Sequence, residues 1–258
     1  MNELDINNPQ LPDFIVPGAD EKKQDEPAKI KVIGVGGGGG NAVNHMYHQG
    51  IGGVSFVLCN TDAQALRNSP VPVKVQLGAK GEGAGNIPEV AKKLAEESAA
   101  EVEALFDDNT RMAFITAGMG GGTGTGAAPV VARIAKEKGV LTVGIVTIPF
   151  LFEGEPKILQ AFAGVEEMRK HVDALLVINN ERLCKIYPDL SWTTAFAKAD
   201  DSLSNAARSI AELVSKDGKI NLDFADVRTT LKDGGAAVIS TGSGEGEHRM
   251  SRAIQNAL

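Results

Sequence analysis

The sequence lacks a long apolar run, has few cysteines and carries no basic patch. It does not reach the roughly 18 consecutive apolar residues of a transmembrane helix, so we expect no direct membrane insertion. Its two cysteines, Cys59 and Cys184, lie in apolar segments without metal-ligand spacing, which favours reduced core residues in a cytoplasmic protein. The net charge of −7 is spread along the chain, which argues against direct nucleic-acid binding.

Glycine is abundant, with 30 residues, and the most prominent glycine segment is AGMGGGTGTG at 117–126. It joins the apolar run Met112–Thr116 to a helix-like run. Such a loop places backbone N–H groups at a helix N-terminus, and the missing Cβ atoms let phosphate oxygens approach them. A flexible linker is the alternative, but linkers do not join a buried strand to an amphipathic helix. The chain contains no Gly-Lys-Ser or Gly-Lys-Thr, so the pattern does not predict a P-loop enzyme.

Strand-like and helix-like segments alternate from Lys29 onward, which predicts an α/β fold with a doubly wound, mostly parallel sheet. In such sheets ligands collect at the carboxyl ends of the strands, so the loops there should form one site. The predicted strands are Ile30–Val35, Val54–Cys59, Val73–Leu77, Met112–Thr116, Leu141–Thr147 and Ala174–Ile178, and the predicted helices between them are Asn41–His48, Pro88–Ala104, Gly126–Lys138 and Pro156–His171.

A second glycine segment, 34–41, follows the first predicted strand and satisfies the pattern GxGxxG. Asp62 follows the second strand where a dinucleotide-binding protein would bind ribose, so an NAD-binding Rossmann oxidoreductase is one alternative. A Rossmann site needs only one pyrophosphate cradle, however. Two cradles suit one triphosphate that is held from both sides.

Three segments resemble the tubulin/FtsZ superfamily of GTPases: GGGTGTG at 120–126, GVGGGGGNAV at 34–43 and NTDAQAL at 60–66. The resemblance implies GTP or GDP as the ligand, with Mg²⁺ bound mainly through the phosphates. It also implies that Asn60 and Asp62 line the nucleotide pocket. The phosphate contacts that it implies come from Gly37, Gly38, Gly39, Gly40, Asn41, Gly120, Gly121, Gly122, Thr123 and Gly124.

A third glycine-rich loop, 78–86, follows the third predicted strand. In FtsZ relatives the equivalent loop ends in Gly-Ala-Gly and Asn-Pro-Glu and senses the terminal phosphate. Here Gly-Ala-Gly is kept at 83–85, the preceding segment is a few residues shorter, and Asn-Ile-Pro-Glu at 86–89 departs from the family motif by one residue.

The segment after the fifth strand matches the FtsZ run T-x-P-F-x-F-E-G, with Thr147, Pro149 and Glu153 at its defined positions. Spacing alone fits Glu153 equally well as a ribose acceptor or as a solvated loop glutamate. The resemblance implies the ribose role. Relatives often place an arginine four residues after this glutamate, and here Lys157 keeps the charge without the bidentate fork.

The residues that are candidates for binding the base of the nucleotide all follow the sixth strand in the sequence. The resemblance places the amide of Asn180 there. Phe196 and Asp200 lie on one face of the predicted helix Ser191–Ser215, where a ring could stack on a purine and a carboxylate could accept from guanine donors that adenine lacks. A core aromatic and a solvated aspartate are the alternatives without the resemblance.

The run NLDFAD at 221–226 resembles the FtsZ loop that enters the nucleotide site of a neighbouring subunit. Helix capping is the alternative role for its two aspartates. A helix of about 25 residues spans about 37 Å, so these residues should lie across the subunit from the nucleotide. The resemblance implies a head-to-tail polymer in which Asp223 and Asp226 act on the neighbour's nucleotide and Asn221 supports them. A tubulin-like filament protein without turnover is another alternative.

The resemblance implies a bacterial cell-division protein at the septum, with other division proteins and membrane adaptors as partners. We expect residues 1–28 to be a disordered tail, 29–190 the GTP-binding domain, 191–217 a central helix and 218–258 the start of a second domain. That last part should hold a helix over Phe224–Lys232, a strand over Ala236–Thr241 and a final helical run. Because the family continues with further strands, we expect the 258 residues to be a truncated form of a longer protein.

Overall fold

The computed structural model describes residues 29–51, 53–186, 191–215, 224–238 and 243–257. Seven strands form one sheet in the order β3-β2-β1-β4-β5-β6-β7, and all six neighbouring pairs run parallel. The strands are β1 (Lys29–Val35), β2 (Val54–Asn60), β3 (Val73–Gln76), β4 (Thr110–Gly118), β5 (Leu141–Ile148), β6 (Ala174–Asn179) and β7 (Gly235–Ala236).

Helices cover both faces of the sheet, as the predicted doubly wound fold requires. One apolar core lies between the sheet and α3 (Pro88–Glu97), α4 (Ala99–Ala104), α5 (Gly122–Glu137) and α6 (Glu155–Arg169). The other core lies between the opposite face and α1 (Gly36–His48), α2 (Ala63–Arg67), α8 (Trp192–Ser215) and α9 (Phe224–Leu231). The remaining helices are α7 (Asn180–Ile186) and α10 (Arg249–Ala257), and a short 3₁₀ turn covers Leu151–Glu153.

The six predicted strands before the long helix are confirmed, and the differences concern helix boundaries. Both glycine segments that were predicted as loops form the first turns of helices, since α1 begins at Gly36 and α5 at Gly122. The predicted helix Pro88–Ala104 is divided at Ser98, where the backbone leaves the helical region. The buried Ser98 hydroxyl accepts a 2.8 Å bond from the N–H of Gly78, which ties the break to the third glycine loop.

The strand predicted over Ala236–Thr241 is present only as the two residues of β7 in the described part. It pairs with Ala174 and Leu175 and so extends the sheet at the β6 edge. The predicted tail 1–28 and the predicted site residues Asn221 and Asp223 lie outside the described residues. No helix of the described residues is long and apolar enough to cross a membrane.

Candidate functional site

The two glycine-rich helix starts meet at the point where the sheet changes winding direction. Strands β1 and β4 are neighbours, yet the chain continues from β1 toward β3 and from β4 toward β6. Helices α1 and α5 follow these two strands, so their N-termini share the carboxyl edge of the sheet, where α/β folds bind ligands. A Cβ added to Gly36 would lie 2.8 Å from the backbone nitrogen of Gly124, and one on Gly38 would lie 3.2 Å from the Cα of Gly118.

Neither of these helix starts is capped by a side chain. The N-cap residues are Val35 for α1 and Gly121 for α5, neither makes a side-chain cap hydrogen bond, and neither first turn contains an acidic residue. Gly37 and Gly38 are exposed, and a Cβ on Gly37 would meet nothing within 4 Å. Two positive helix ends therefore face one open space, an arrangement that suits a polyanion.

Other glycines of the predicted phosphate set are explained by close packing. A Cβ on Gly39 would clash with the carbonyl oxygen of Thr116, one on Gly124 with that of Gly118, and one on Gly122 would lie 2.8 Å from the nitrogen of Ile87. The N–H of Gly120 already donates to the Thr125 hydroxyl at 2.9 Å, so this donor is used by the fold. Among the predicted phosphate residues Gly121, Thr123 and Gly40 are partly exposed and Asn41 is exposed at the same edge.

The segment after β2 lies beside the first glycine helix. Asn60 is buried, and its side-chain oxygen accepts from the N–H of Asp62 at 3.2 Å. The Asp62 carboxylate caps α2 by accepting from the N–H groups of Gln64 and Ala65 at 2.8 and 3.3 Å. Asp62 therefore caps the backbone at the start of α2. The hydroxyl groups of Thr61 and Thr123 lie 2.7 Å apart and join this segment to α5.

The third glycine loop closes onto the same edge. The N–H of Gly83 donates to the carbonyl of Thr61 at 3.0 Å, and the Gln160 amide donates to the carbonyl oxygens of Asn86 and Gly120 at 3.4 and 3.1 Å. Asn86 has a φ of 62°, a left-handed conformation that asparagine tolerates well. The structure thus brings all three glycine segments together.

Glu153 is positioned rather than freely solvated. Its side chain is 18% exposed, one carboxylate oxygen accepts from the N–H of Phe150 at 3.0 Å, and the other lies 3.4 Å from the ammonium of Lys157. Buried Thr147 accepts a 3.0 Å bond through its carbonyl from Met119, and Pro149 packs near Gly120. The segment between β5 and α6 therefore lies against the second glycine helix.

Asn180, at the end of β6, has an unsatisfied polar atom. The residue is 5% exposed, and its side-chain oxygen is buried without a hydrogen-bond partner among the described residues. A buried acceptor without a partner costs free energy, which a bound donor can return. Asn180 is therefore a candidate to accept a hydrogen bond at the predicted base position.

Phe196 belongs to an aromatic cluster that the sequence did not predict. Its ring meets those of Phe150 and Phe152 edge to face, at centroid distances of 5.2 and 6.2 Å, while Phe150 and Phe152 stack on each other at 4.9 Å. Phe196 remains 42% exposed, so one part of the ring is held and the rest is accessible. The only sequence signal for this cluster is the Phe-x-Phe pattern before Glu153.

Asp200 lies one helical turn beyond Phe196 and is half-buried. Burial raises the pKa of its carboxyl group to about 6, against the opposing effect of nearby His45; the charge of Asp201 adds to the rise. The carboxylate is therefore a poorly solvated acceptor. Such an acceptor gains more than an exposed one from donors on a ligand.

Asp226 lies at the opposite edge of the sheet. It is exposed in the first turn of α9, and the preceding Phe224 packs under the guanidinium of Arg111, 4.3 Å from the ring centroid. Arg111 stands at the amino end of β4, whose nine residues span about 30 Å. Asp226 is therefore separated from the glycine helix starts of its own chain by the height of the sheet.

Known proteins resemble this chain in sequence and fold. The family model described as "Tubulin/FtsZ family, GTPase domain" matches residues 29–188. The cell division protein FtsZ of Porphyromonas gingivalis is 66% identical over 236 residues, which are 90% of this chain and 52% of that protein. The FtsZ of Wigglesworthia glossinidia brevipalpis is 48% identical over 235 residues, which are 90% of this chain and 61% of that protein.

Among solved structures, the empty FtsZ dimer of M. jannaschii superposes with a TM-score of 0.85 at 44% identity, covering 91% of this chain and 69% of that one. The chain thus spans between half and two thirds of the length of the two curated relatives.

Proposed function

Because the chain belongs to the tubulin/FtsZ family of GTPase domains, we propose that it binds GTP at the carboxyl edge of its sheet and hydrolyses it in a head-to-tail assembly. One observation carries this proposal: two uncapped, glycine-rich helix starts converge on one open space beside an unsatisfied amide at the base position. Two glycine-rich helix N-termini can bind one triphosphate from both sides.

The phosphates would lie between the N-termini of α1 and α5. Gly37, Gly38, Gly40 and Asn41 would contact them from one side, and Gly121 and Thr123 from the other, while Gly39, Gly120, Gly122 and Gly124 allow the close backbone packing that forms the cradle. Lys157 would add a positive charge, exchanging its contact with Glu153 for a phosphate oxygen. Glu153 would then accept from ribose hydroxyls.

The base would lie between Phe196 and the end of β6. The unsatisfied oxygen of Asn180 and the carboxylate of Asp200 offer acceptors to guanine, whose N1–H and 2-amino group form a donor pair that adenine lacks. Phe196 would stack on the purine. Acceptors at both positions would favour GTP over ATP.

Hydrolysis would require a second copy of the chain. Asp226 lies at the far edge of the sheet, so in a head-to-tail stack it would meet the nucleotide of the neighbouring subunit. There Asp226, together with Asp223 and Asn221, would orient or polarise the attacking water. Mg²⁺ would be held mainly through the phosphates, where it would neutralise charge. The described residues contain no group of three His, Cys, Asp or Glu side chains placed to hold a metal ion by themselves.

The proposed assembly also defines the cellular role. The relatives are named as cell division proteins, so we propose that this chain acts in the cytoplasm at the division septum with division proteins and membrane adaptors as partners. We propose that residues 29–190 bind the nucleotide, that 191–217 form the central helix, and that 218–258 contain the aspartate loop and the start of a second domain.

Titrating the chain with GTP, ATP and NAD and measuring phosphate release at several protein concentrations tests this proposal. We expect GTP to bind more tightly than ATP, and the rate per subunit to rise with concentration because each site needs a neighbour. Binding of NAD in preference to GTP would favour an oxidoreductase. Filaments that form in GTP without phosphate release would favour a structural protein that binds GTP but does not hydrolyse it.

A further inference from the structure

A pair of hydroxyl groups, on Thr61 and Thr123, connects the segment after β2 to the first turn of α5. Their oxygen atoms lie 2.7 Å apart, and either hydroxyl can donate to the other. Thr61 is 1% exposed, whereas Thr123 is partly exposed. A Cβ on Gly36 would lie 3.1 Å from the Cβ of Thr123, so the Thr123 side chain also adjoins the start of α1. Thr123 therefore lies where the two glycine-rich helix starts meet.

The number of protons in this pair decides the direction of its hydrogen bond when a phosphate is bound. Each hydroxyl group has one proton to donate and lone pairs with which to accept. Ionised phosphate oxygens accept hydrogen bonds and have no proton to donate. In the proposed phosphate contact the only proton of Thr123 therefore goes to the ligand. The bond between the two hydroxyl groups then requires Thr61 to be the donor.

We propose that Thr61 is a positioning residue for phosphate binding: its hydroxyl donates to Thr123 and so keeps the Thr123 proton directed at the phosphate. This inference rests on the proposed GTP site. The Thr123 side chain has three staggered rotamers, and those that turn its hydroxyl away from Thr61 lose this bond. A hydroxyl that accepts a hydrogen bond also becomes a stronger donor. Because Thr61 is almost fully buried, it acts on the ligand through Thr123.

The backbone of the same segment has a separate role, which side-chain substitutions leave in place. The carbonyl of Thr61 accepts from the N–H of Gly83 at 3.0 Å, and the N–H of Ala63 donates to the carbonyl of Gly81 at 3.1 Å. These bonds attach the third glycine loop to the segment after β2. Removing the Thr61 hydroxyl therefore tests the hydroxyl pair without removing the bonds that hold this loop.

The test is the dissociation constant of GTPγS, a triphosphate that is hydrolysed slowly, for the wild type and for variants of Thr61. Thr61→Val should bind GTPγS roughly twofold to tenfold more weakly, which is the range that one neutral hydrogen bond supports. Thr61→Ala, which puts no carbon atom in place of the hydroxyl, should show the same loss. Thr61→Ser, which keeps the hydroxyl, should bind within about twofold of the wild type.

A double-mutant cycle tests whether Thr61 acts through Thr123. In a chain that already carries Thr123→Val, the change Thr61→Val should cause no further loss of affinity. A loss that arises elsewhere in the fold would appear in both backgrounds. The matched control is Thr142→Val, because the Thr142 hydroxyl is also buried but donates to the carbonyl of Val140, at the amino end of β5. This control should bind GTPγS like the wild type.

Magnesium tests the direction of the bond between the two hydroxyl groups. If the Thr123 oxygen bound Mg²⁺, Thr123 would donate to Thr61, and the loss in Thr61→Val would depend on the metal. Donation from Thr123 to a phosphate needs no metal. We therefore expect the same fold loss in Thr61→Val with Mg²⁺ and with excess EDTA.

Four results would overturn the inference while leaving the GTP site intact. They are equal affinity of the wild type and Thr61→Val, an equal loss in Thr61→Ser, an equal further loss in the Thr123→Val chain, and a loss that requires Mg²⁺. Failure of the wild type to bind GTPγS would overturn both the inference and the proposed function.

Discussion

Asp200 illustrates, at the residue scale, how a binding group can oppose the stability of the free fold. Burial raises the pKa of its carboxyl group from 3.8 to about 6, so the folded chain disfavours the ionised form. A carboxyl group whose pKa is raised by folding lowers the free energy of unfolding at pH values above its folded pKa. This loss of stability disappears as the pH falls through 6 toward the pKa of the unfolded chain. The proposed role of Asp200 in guanine recognition requires the ionised form, which is the form that burial disfavours.

We therefore predict opposite effects of Asp200→Asn on stability and on binding. At pH 7 the variant should melt at a higher temperature than the wild type, and the difference should shrink as the pH is lowered to 5. Its GTP affinity should fall by about 1–3 kcal/mol, with a smaller preference over ATP, because a charged acceptor is lost. Thermal melts and nucleotide titrations over this pH range measure both effects. Undiminished preference for GTP would remove Asp200 from the site.

Asn180 likewise carries a group that is unfavourable in the free fold and is proposed to contact the ligand, in this case an unpaired hydrogen-bond acceptor. Because its buried side-chain oxygen has no partner among the described residues, Asn180→Ala should change the unfolding free energy of the free chain by less than about 1 kcal/mol. The same change should weaken GTP binding by about 1–2 kcal/mol, since the ligand loses an acceptor. Denaturant unfolding without nucleotide and GTP titration provide the comparison. A large loss of stability with unchanged binding would mean that Asn180 serves the fold alone.

At the scale of elements, the glycines of α1 divide into packing positions and an open position. A Cβ on Gly39 would collide with the backbone of β4 at Thr116, whereas one on Gly37 would meet nothing within 4 Å. Gly39→Ala should therefore cost about 1–3 kcal/mol of unfolding free energy through overpacking. Gly37→Ala should leave stability unchanged or raise it by up to about 1 kcal/mol, since alanine favours a helix.

The same pair of variants tests the phosphate cradle. Gly37→Ala should weaken GTP binding in a stable protein, because its methyl group would occupy the open space in front of the helix. Gly39→Ala serves as the matched control, because its lower free energy of unfolding should account for any GTP affinity that it loses. Denaturant unfolding with and without GTP separates the two effects. Tight GTP binding by Gly37→Ala would place the phosphates elsewhere.

The strands were predictable because a parallel strand buried on both faces is a continuous apolar run, as in Met112–Thr116. The starts of α1 and α5 were not, since glycine is a poor helix former and local propensity predicts a loop. Four of these glycines, Gly36, Gly39, Gly122 and Gly124, lie where an added Cβ would come within 3 Å of neighbouring backbone, a constraint that exists only in the folded chain. The break at Ser98 likewise depends on a distant partner, the N–H of Gly78.

At the scale of the whole molecule, the strand order explains why the site could be predicted in part. Alternating strands and helices place the loops after β1, β4 and β5 at one edge, which joins glycine segments that are far apart in sequence. The resemblance to the family supplied residue roles, and these remain predictions. The aromatic cluster around Phe196 arises from packing between elements, for which the spacing along a single helix gives no signal.

The separation of the two edges leads to the last prediction, that the defect of Asp226→Ala acts in trans. Asp226 is exposed at the amino edge of the sheet, and the nucleotide site is proposed at the carboxyl edge, about 30 Å away along β4. The variant should bind GTP like the wild type and release little phosphate. Mixing it with a binding-deficient double variant, Phe196→Ala with Asp200→Ala, should restore part of the turnover.

Restoration is expected because each mixed contact can pair an intact nucleotide pocket from the Asp226→Ala chain with an intact Asp226 from the other chain. Phosphate release measured across mixing ratios should therefore exceed the sum of the two separate rates, with a maximum at intermediate ratios. Weaker GTP binding by Asp226→Ala would place its effect within one chain. Purely additive rates in the mixtures would mean that hydrolysis does not use a neighbour's aspartate.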